Sequence, residues 1–475
     1  MTDPRFQPTR RHFILASAGT LIAATTGTVL ISCRPSGSTR TSTLNTSPAP
    51  APVTAAPAPA PGFAPPYAEP GVRVRIARLR ESKRRPIAVS LGSERQWMRV
   101  RHPRVHQYGE LMRGPIAVTA SARRGDAMTW TVVASDGETI TLPGDDRLDI
   151  HALDDQPGTT LAYDKTAYPG FLRLNPQHDD RASGVDVVNV VGMEAYLPGV
   201  LARELYAHWH PSTFEAQAIA ARSFAVHEVL HFGPTRSFDV TNTQRSQAYI
   251  GQTNRTRAHN AVAATRGQIL TWNTHDGRRV IPGYYSSCCG GRAAAATDVI
   301  GPNPINAIPP LHGHSHLCPC RDAPRYRWSV AMTTDDFADQ IRQWAKQTGR
   351  TRLHSMCVPH DITVLESSAN GRPRRFALHC ADGPDVEIGA TALRDALRHR
   401  DAEDSTDPHA VWSPFLQPRG ISGGTVQFEG CGYGHGAGLC QYGAEAQARA
   451  GRSADAILSW YYPGAEIHDA WLMRS

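Results

Sequence analysis

The chain contains 475 residues, several times the ~150 residues typical of one domain, which excludes a peptide hormone or a small disulfide scaffold. A hydrophobic share of 40% can bury a core, while 40 Gly and 36 Pro indicate that part of the chain is not globular. The net charge of +7 is too mild for a nucleic-acid signature and suits an anionic cell surface equally well. Beyond residue 33, no apolar run reaches the ~20 residues of a membrane span.

The first 33 residues have the pattern of an export signal. Arg10 and Arg11 precede a weakly apolar stretch over 14–31, which resembles a bacterial twin-arginine signal. The stretch ends in Leu-Ile-Ser-Cys, which resembles a lipobox with Cys33 as the lipidated residue. The alternatives are a chance Arg pair before a membrane helix, and an ordinary cleavage site at which Cys33 is incidental. The pattern predicts an exported lipoprotein that is anchored in the membrane and faces the periplasm or cell wall.

Residues 34–70 are predicted to be a disordered linker. From Pro48 onward they are mostly Pro and Ala, a composition that favours extended polyproline II and a reach on the order of 100 Å. Alternating apolar and polar residues then predict a small β-rich module over 71–165 and a further strand over 185–191.

The remainder, 185–470, predicts a second domain with a few helices. A helix over 212–232 begins with a capping box of Ser212 and Glu215. Helices are also predicted over 333–348, 390–398, 441–450 and from 453, with strands near 362–365 and 375–378. An irregular Cys/His loop covers 286–322. The predicted fold class is α+β: a mixed β-rich core with a few packed helices, preceded by the small β-rich module.

Glu204 is the first candidate for chemistry. It follows Leu201 and precedes Leu205 and Tyr206. A carboxyl group in apolar surroundings stays protonated to higher pH and can act as a general acid. The alternative is a surface glutamate paired with Arg203 or Arg222.

The second candidate is the segment 430–444, in which glycine recurs at every second position from Gly430 to Gly438. If this segment is extended, one face is bare backbone, and a ligand chain or another strand can approach it closely. His435 and Gln441 would supply polar contacts beside it. Neither a P-loop nor a dinucleotide-binding turn fits, because their flanking residues are absent. A purely structural turn is the alternative.

The third candidate is a set of cysteines and histidines: Cys288, Cys289, His312, His314, His316, Cys318 and Cys320. Such a set could bind zinc, form disulfides in an exported protein, or lie in a solvated loop. A twin-arginine route favours thiols or a metal over disulfides. The hypothesis is a structural zinc on Cys289, His316, Cys318 and Cys320, and no other cofactor is expected.

Long blocks in a fixed order resemble the SpoIID/LytB domain family, named after stage II sporulation protein D. They span roughly 185–467 and include YLPGVLARELYAHWHPSTFEAQAIAARSFAV, DVTNTQRSQAYIGQ, AVAATRGQILTW, YYSSCCGGRA and GCGYGHGAGLCQYGAEAQARAG. The resemblance implies a lytic transglycosylase that cuts peptidoglycan strands freed of stem peptides and leaves 1,6-anhydro ends. It also implies a role in cell-wall remodelling.

The resemblance assigns roles to individual residues. The family's catalytic glutamate falls on Glu204, as general acid/base. Its other blocks imply substrate binding by Gln217, Arg222, Ser223, Tyr433, His435 and Gln441. Two departures put sugar specificity in question: Leu205-Tyr206 stands where the family often has Met-Pro, and Tyr433 stands where it usually has Trp.

Two other functions compete with this one. LytB-type relatives modify amidases, so the chain could bind glycan without cutting it and activate a cell-wall amidase. A zinc hydrolase built on the HGHSH loop, residues 312–316, is the third hypothesis. The expected partners are peptidoglycan strands and a cell-wall amidase, with no nucleic acid, and with membrane contact only through the lipid anchor.

Overall fold

A computed structural model describes residues 68–81, 87–121, 128–153, 159–179, 182–233, 235–275, 277–381, 383–398 and 411–471. The export signal, the lipidation site Cys33 and nearly all of the Pro/Ala-rich linker lie outside these residues. The described part combines helices with several β-sheets, which confirms the predicted α+β class. None of its helices has the length and apolar character needed to cross a membrane.

The first part of the chain folds into strands, as predicted. Their alternating residues bury one face; in β1, for example, Val72 and Val74 are buried while Arg73 and Arg75 are half-buried. The strands are β1 (Gly71–Arg80), β2 (Ile87–Leu91), β3 (Trp97–His102), β4 (His106–Arg113), β5 (Ile116–Ser121), β6 (Thr129–Val133), β7 (Thr139–Pro143), β8 (Leu148–Ala152), β9 (Thr160–Tyr163), β10 (Thr166–Pro169), β11 (Phe171–Asp179) and β12 (Ala182–Gly192).

Helices and short strands follow β12 and form the scaffold of the candidate site. They are α1 (Met193–Glu204), α2 (Pro211–Phe232), β13 (Val240–Thr241), α3 (Thr256–Ala264), β14 (Gln268–Thr274), β15 (Gly277–Val280), β16 (Tyr285–Ser286) and α4 (Ala296–Val299). The predicted capping box of α2 is wrong. His210 is the N-cap, and its ring Nδ1 accepts the N–H of Ser212 at 3.2 Å.

The region predicted as a β-module is joined to the second domain through one sheet. The seven-stranded sheet has the order β13-β1-β12-β11-β8-β3-β4, and β2, β5, β6, β7, β9 and β10 form a second sheet. Arg73 of β1 also pairs with the buried Asp239 just before β13, at 2.6 Å. Glu69 accepts the N–H of Glu194 at 2.9 Å, so contacts with α1 begin within the last residues of the predicted linker.

A second hydrophobic core, separate from the main one, lies in the later part of the chain. It contains Phe337, Phe376 and Phe428, and a disulfide joins Cys357 to Cys380 in this region. Its elements are β17 (Arg327–Thr333), α5 (Thr334–Thr348), β18 (Pro359–Ser367), β19 (Pro373–Cys380), β20 (Val386–Gly389), α6 (Ala390–Ala396), β21 (Leu416–Ser422) and β22 (Thr425–Cys431).

The C-terminal segment returns to the main core. It consists of β23 (Leu439–Cys440), α7 (Gln441–Arg449), α8 (Ala454–Tyr461) and β24 (Glu466–Asp469). β23 pairs in parallel with β16, and β24 pairs antiparallel with β14. This return brings the glycine-rich segment against the strands and helices that follow β12.

Candidate active site

Glu204 is the last residue of α1, and its side chain points into the protein. The chain becomes extended at Leu205, and Glu204 is only 2% exposed. Its Oε1 accepts the N–H of Ala248 at 3.1 Å, and its Oε2 accepts the side-chain amide of Gln441 at 3.1 Å. The carboxylate therefore joins three segments that are far apart in sequence.

A buried polar network surrounds this carboxylate. The Tyr196 hydroxyl donates to Oε1 of Gln247 at 3.1 Å, and the Gln247 amide donates to the carbonyl of Ala221 at 3.1 Å. Burial raises the pKa of Tyr196 and of Tyr285, and the nearby charge of Glu204 contributes to both shifts. Both hydroxyls thus stay protonated and can act as donors.

Gln217 lies in the buried first half of α2. It is one turn after Thr213, whose hydroxyl donates to Glu445 at 2.8 Å, and one turn before Ala221. The side chain is fully buried, and neither its amide nitrogen nor its oxygen bonds to a residue that the structure describes. A buried amide without partners costs about 1–3 kcal/mol, so the fold itself gains nothing from the polarity of Gln217.

Arg222 and Ser223 lie in the scaffold and are not brought to Glu204. Arg222 is fully buried and forms a two-pronged ion pair with Glu194, at 3.0 and 2.8 Å. The Ser223 hydroxyl donates to the Ile219 carbonyl at 2.6 Å and accepts the N–H of Leu270 at 2.8 Å. The remaining N–H groups of Arg222 donate to Thr265 Oγ1 and to the carbonyls of Val262 and Gln268. The polar atoms of both side chains are thus engaged by the protein itself.

The predicted extended strip of glycines is wrong. β22 ends at Cys431, and the glycines that follow take left-handed φ values: 83° at Gly432, 97° at Gly434, 80° at Gly436 and 66° at Gly438. A Cβ atom at Gly432 would collide with the Cys288 carbonyl, and one at Gly438 with the Tyr284 carbonyl. The bare backbone therefore admits another segment of the same chain, and it does not form a flat ligand platform.

His435 and Tyr433 hold this loop in place. The His435 ring is buried, its Nδ1 accepts the N–H of Ala437 at 3.0 Å, and burial lowers its pKa to about 4. The ring packs edge-on against Tyr284, with ring centroids 6.3 Å apart. Tyr433 packs edge-on against Trp412, with ring centroids 5.2 Å apart. Among the residues predicted from the glycine block, the structure brings Gln441 to Glu204.

A pocket of about 320 Å³ is lined by residues that follow Glu204 and Gln441 closely in sequence. Tyr206, two residues after Glu204, lines one side, and Tyr442, directly after Gln441, lines another. Trp209 packs against both rings, with centroids at 5.3 and 5.0 Å. Asp322, Glu445 and Arg449 add charged groups to the lining, which also includes His208 and Ala446. The size and the mixed lining are those of a small-ligand site.

Four buried cysteines form a compact group, called here the thiol group: Cys289, Cys318, Cys320 and Cys440. Their sulfur atoms all lie within 4.8 Å of one another, and the sulfurs of Cys289 and Cys320 are 3.8 Å apart. Hydrogen bonds from neighbouring thiols, Cys288 first, lower the pKa of Cys320. A thiolate at this position is what a metal ion requires.

The donor set fits a structural zinc ion. Four sulfurs around tetrahedral zinc, each about 2.3 Å from the metal, stand about 3.8 Å apart. The predicted ligand His316 is wrong: Cys440 occupies its place, and the His316 ring stacks instead on Trp460 with centroids 6.3 Å apart. Within the described residues, no group of possible ligands this close includes a histidine of the HGHSH loop. A closed set of four thiols leaves no open position for catalysis.

Several residues of the site were missed from the sequence. Ala248 contributes only a backbone N–H, which no side-chain pattern reveals. Cys440 directly precedes Gln441 within the glycine-rich segment 430–444. This position was the one sequence signal that could have identified Cys440 as part of the site. Arg449 and Glu445 form an i, i+4 pair on α7 that looks like an ordinary surface pair until Glu445 is seen to be buried.

Comparison with known proteins agrees with the predicted family. The family model described as Stage II sporulation protein (SpoIID) matches residues 181–272. An uncharacterized protein of Brachyspira hyodysenteriae is 28% identical over 315 residues, which cover 66% of this chain and 75% of that protein. Stage II sporulation protein D of Bacillus subtilis is 25% identical over 300 residues, covering 60% of this chain and 76% of that protein.

A third relative carries a different name. The amidase enhancer of Bacillus subtilis is 24% identical over 302 residues, covering 57% of this chain. The aligned region is 40% of the length of that protein. The chain therefore resembles proteins with two different descriptions at similar identity.

Proposed function

Because the chain resembles the SpoIID/LytB family, whose model matches residues 181–272, we propose that its role at the cell wall is that of a lytic transglycosylase acting on peptidoglycan. The observation that carries the proposal is the buried Glu204 carboxylate, held by one donor from Ala248 and one from Gln441. The family's catalytic glutamate falls on this residue. A carboxyl group fixed by two single donors, with residues that closely follow it in sequence lining a pocket, is suited to transferring protons.

The proposed reaction needs one acid/base. Glu204 gives a proton to O4 as the bond between C1 and O4 breaks. The carboxylate then accepts the proton of the muramic C6 hydroxyl while that oxygen bonds to C1. The products are a 1,6-anhydro end and a free 4-hydroxyl, and no water is consumed. The N–H groups of Ala248 and Gln441 stabilise the carboxylate between the two transfers.

We place substrate entry at the pocket between Tyr206 and Tyr442. Glu204 is nearly fully buried, so a glycan must approach along the segments that hold the carboxylate. Tyr206 and Tyr442 adjoin the two members of the pair in sequence and line the pocket. Small displacements of these segments would bring a bound sugar to the carboxyl group.

The amidase enhancer relative favours a second candidate function. In this alternative, the chain binds glycan strands and activates a cell-wall amidase without cutting the glycan. We prefer the enzymatic proposal because the family's catalytic glutamate falls on Glu204, whereas in a pure binder this carboxylate would serve only to join the segments that it bonds.

We propose in addition that the thiol group holds a structural zinc ion. Bound there, zinc would fix the loop that carries Cys318 and Cys320 to the start of α7. We further propose that the protein is exported and anchored through Cys33. A chain that begins before Ala68 keeps the contacts of Glu69 and should retain activity without the anchor.

The test is digestion of purified peptidoglycan with the full-length protein. Intact material and material treated with an amidase to remove stem peptides are compared, and the products are analysed by mass spectrometry. We expect 1,6-anhydro ends from the amidase-treated strands. Products with hydrolysed reducing ends would contradict the transglycosylase proposal. No cleavage, combined with faster turnover by an added amidase, would support the activator instead.

A further inference from the structure

Arg449 is held at the pocket by a buried carboxylate. Its Nε donates to Oε1 of Glu445 at 2.6 Å. The other oxygen of Glu445 accepts the N–H of His210 at 2.9 Å and the hydroxyl of Thr213 at 2.8 Å, both at the start of α2. Glu445 is therefore satisfied on both oxygens, and it fixes the orientation of the Arg449 guanidinium.

The outer part of this guanidinium is available to a ligand. Arg449 is 60% exposed, and its two NH₂ groups make no hydrogen bond to the part of the chain that the structure describes. A planar guanidinium with an anchored Nε presents its remaining N–H groups to a carboxylate in a fixed orientation. The anchoring also lowers the entropy lost when such a ligand binds.

The other walls of the pocket suit a sugar ring. Tyr206 and Tyr442 are half-buried and present aromatic surface, with Trp209 packed between them. Rings of this kind bury the C–H faces of a sugar while its hydroxyls remain hydrogen-bonded. The Asp322 carboxylate on the lining is an acceptor for hydroxyl or acetamido N–H groups.

We propose that this pocket binds an N-acetylmuramic acid ring and that Arg449 pairs with the free carboxylate of its lactyl group. The inference rests on the proposed function, because it takes its ligand from the peptidoglycan glycan. In a peptide-bearing strand the same carboxylate is an amide and carries no charge. Arg449 is then the residue that makes the protein prefer strands whose stem peptides have been removed. A reaction that hydrolyses the lactyl amide must supply this ligand.

Asp322 defines the competing ligand. Its negative charge on the pocket lining would favour a cationic amino sugar if Arg449 were fully neutralised by Glu445. Because Glu445 is also held by two donors from the start of α2 and contacts Arg449 only at Nε, the outer N–H groups of the charged guanidinium face the ligand. A deacetylated glucosamine disaccharide therefore serves as a decisive comparison.

The experiment measures binding without turnover. The full-length protein is titrated with four disaccharides: N-acetylglucosaminyl-N-acetylmuramic acid, its lactyl carboxamide, the N-acetylglucosamine disaccharide and the glucosamine disaccharide. None of them contains a bond from C1 of an internal muramic residue, so binding is read independently of cleavage. We expect the carboxylate form to bind at least about 5-fold more tightly than the carboxamide, as for a charge-assisted hydrogen bond at a partly exposed site.

Variants locate the effect. Arg449→Gln should abolish the difference between carboxylate and carboxamide, Arg449→Lys should keep part of it, and Tyr206→Ala should weaken both ligands. The matched control is Arg419→Gln, since Arg419 is 58% exposed and ion-paired with Glu429 on β22. Unchanged discrimination in Arg449→Gln, or tighter binding of the glucosamine disaccharide, would overturn the inference. Discrimination that persists in a protein that cuts no glycan would overturn only the enzymatic proposal.

Discussion

Two groups of buried polar side chains meet at the start of α7, and they differ in how they are enclosed. Cys440 belongs to the thiol group, and the next residue, Gln441, holds Glu204. The thiol group consists of four equivalent donors that face one another. The Glu204 carboxylate instead has two single donors. Tyr206 and Tyr442, which follow Glu204 and Gln441 in sequence, line a pocket.

The difference separates a structural role from a chemical one. Four thiols around one point satisfy a tetrahedral ion completely, so nothing remains for a substrate. A carboxyl group with two donors keeps free lone pairs, and it can gain and lose a proton without breaking the fold. Because the two groups share one turn of chain, changes in the thiol group should also move Gln441.

The largest expected effect is on thermal stability, and it comes from removing one sulfur of the thiol group. Cys440→Ser removes one sulfur ligand, and structural zinc contributes several kcal/mol to folding. We expect loss of zinc by mass spectrometry and a fall in melting temperature of at least about 10 °C. Cys431→Ser, a half-buried thiol outside the group, should change neither. Wild-type protein without zinc, and with a melting temperature insensitive to chelators, would refute the prediction.

The next largest effect is on the rate of glycan cleavage, and it tests Glu204 as the acid. Glu204→Gln should lower the rate of glycan cleavage by at least about 10²-fold, because the amide cannot donate the proton. Its oxygen can still accept from Ala248, and the Gln441 amide can rotate to accept from the new NH₂, so the melting temperature should change little. Glu215→Gln, on a half-buried residue of α2, is the control. Cleavage at the wild-type rate by Glu204→Gln would show that another group is the acid.

The glycine-rich loop that leads into Cys440 and Gln441 should respond to pH through His435. Its pKa is about 4 in the folded protein, below the ordinary 6.5, so the unfolded chain binds the proton first as the pH falls. The stabilising contribution is complete above pH 6.5 and is lost between pH 6.5 and 4, by up to about 3 kcal/mol. His435→Asn should show a smaller pH dependence of the unfolding free energy than wild type, while His312→Asn, at an exposed site, should not. Parallel curves for wild type and His435→Asn would contradict this assignment.

The smallest effect concerns the buried, unpartnered side-chain amide of Gln217 on α2. Gln217→Met should raise the unfolding free energy by about 1 kcal/mol, because a buried amide without bonds is removed. Cleavage should fall several-fold if the amide contacts the glycan. Gln447→Met is the matched control, since the Gln447 oxygen accepts a bond from Arg452. Destabilisation by Gln217→Met would show that the fold uses this amide.

Much of the fold could be predicted from the sequence because its signals are local. Helix α5 is predicted to within one residue of its start, since Thr333 caps it and Gly349 ends it. Helix α1 was missed because Pro198 and Gly199 interrupt the pattern of a helix. Pro198 is the sixth of the twelve residues of α1, so the helix continues through it without one interior N–H donor.

The sequence by itself determined the α+β class and the order of the family blocks, since both depend on residue types and their spacing along the chain. Through the resemblance that these blocks carry, it also nominated Glu204 as the candidate acid. Only the tertiary structure decided which residues surround that carboxylate. Ala248 acts through its backbone, Gln441 is 237 residues away from Glu204, and Cys440 replaces His316 in the thiol group. These choices depend on how the C-terminal segment packs back onto the main core, and contacts between distant segments leave no periodic signal in the chain.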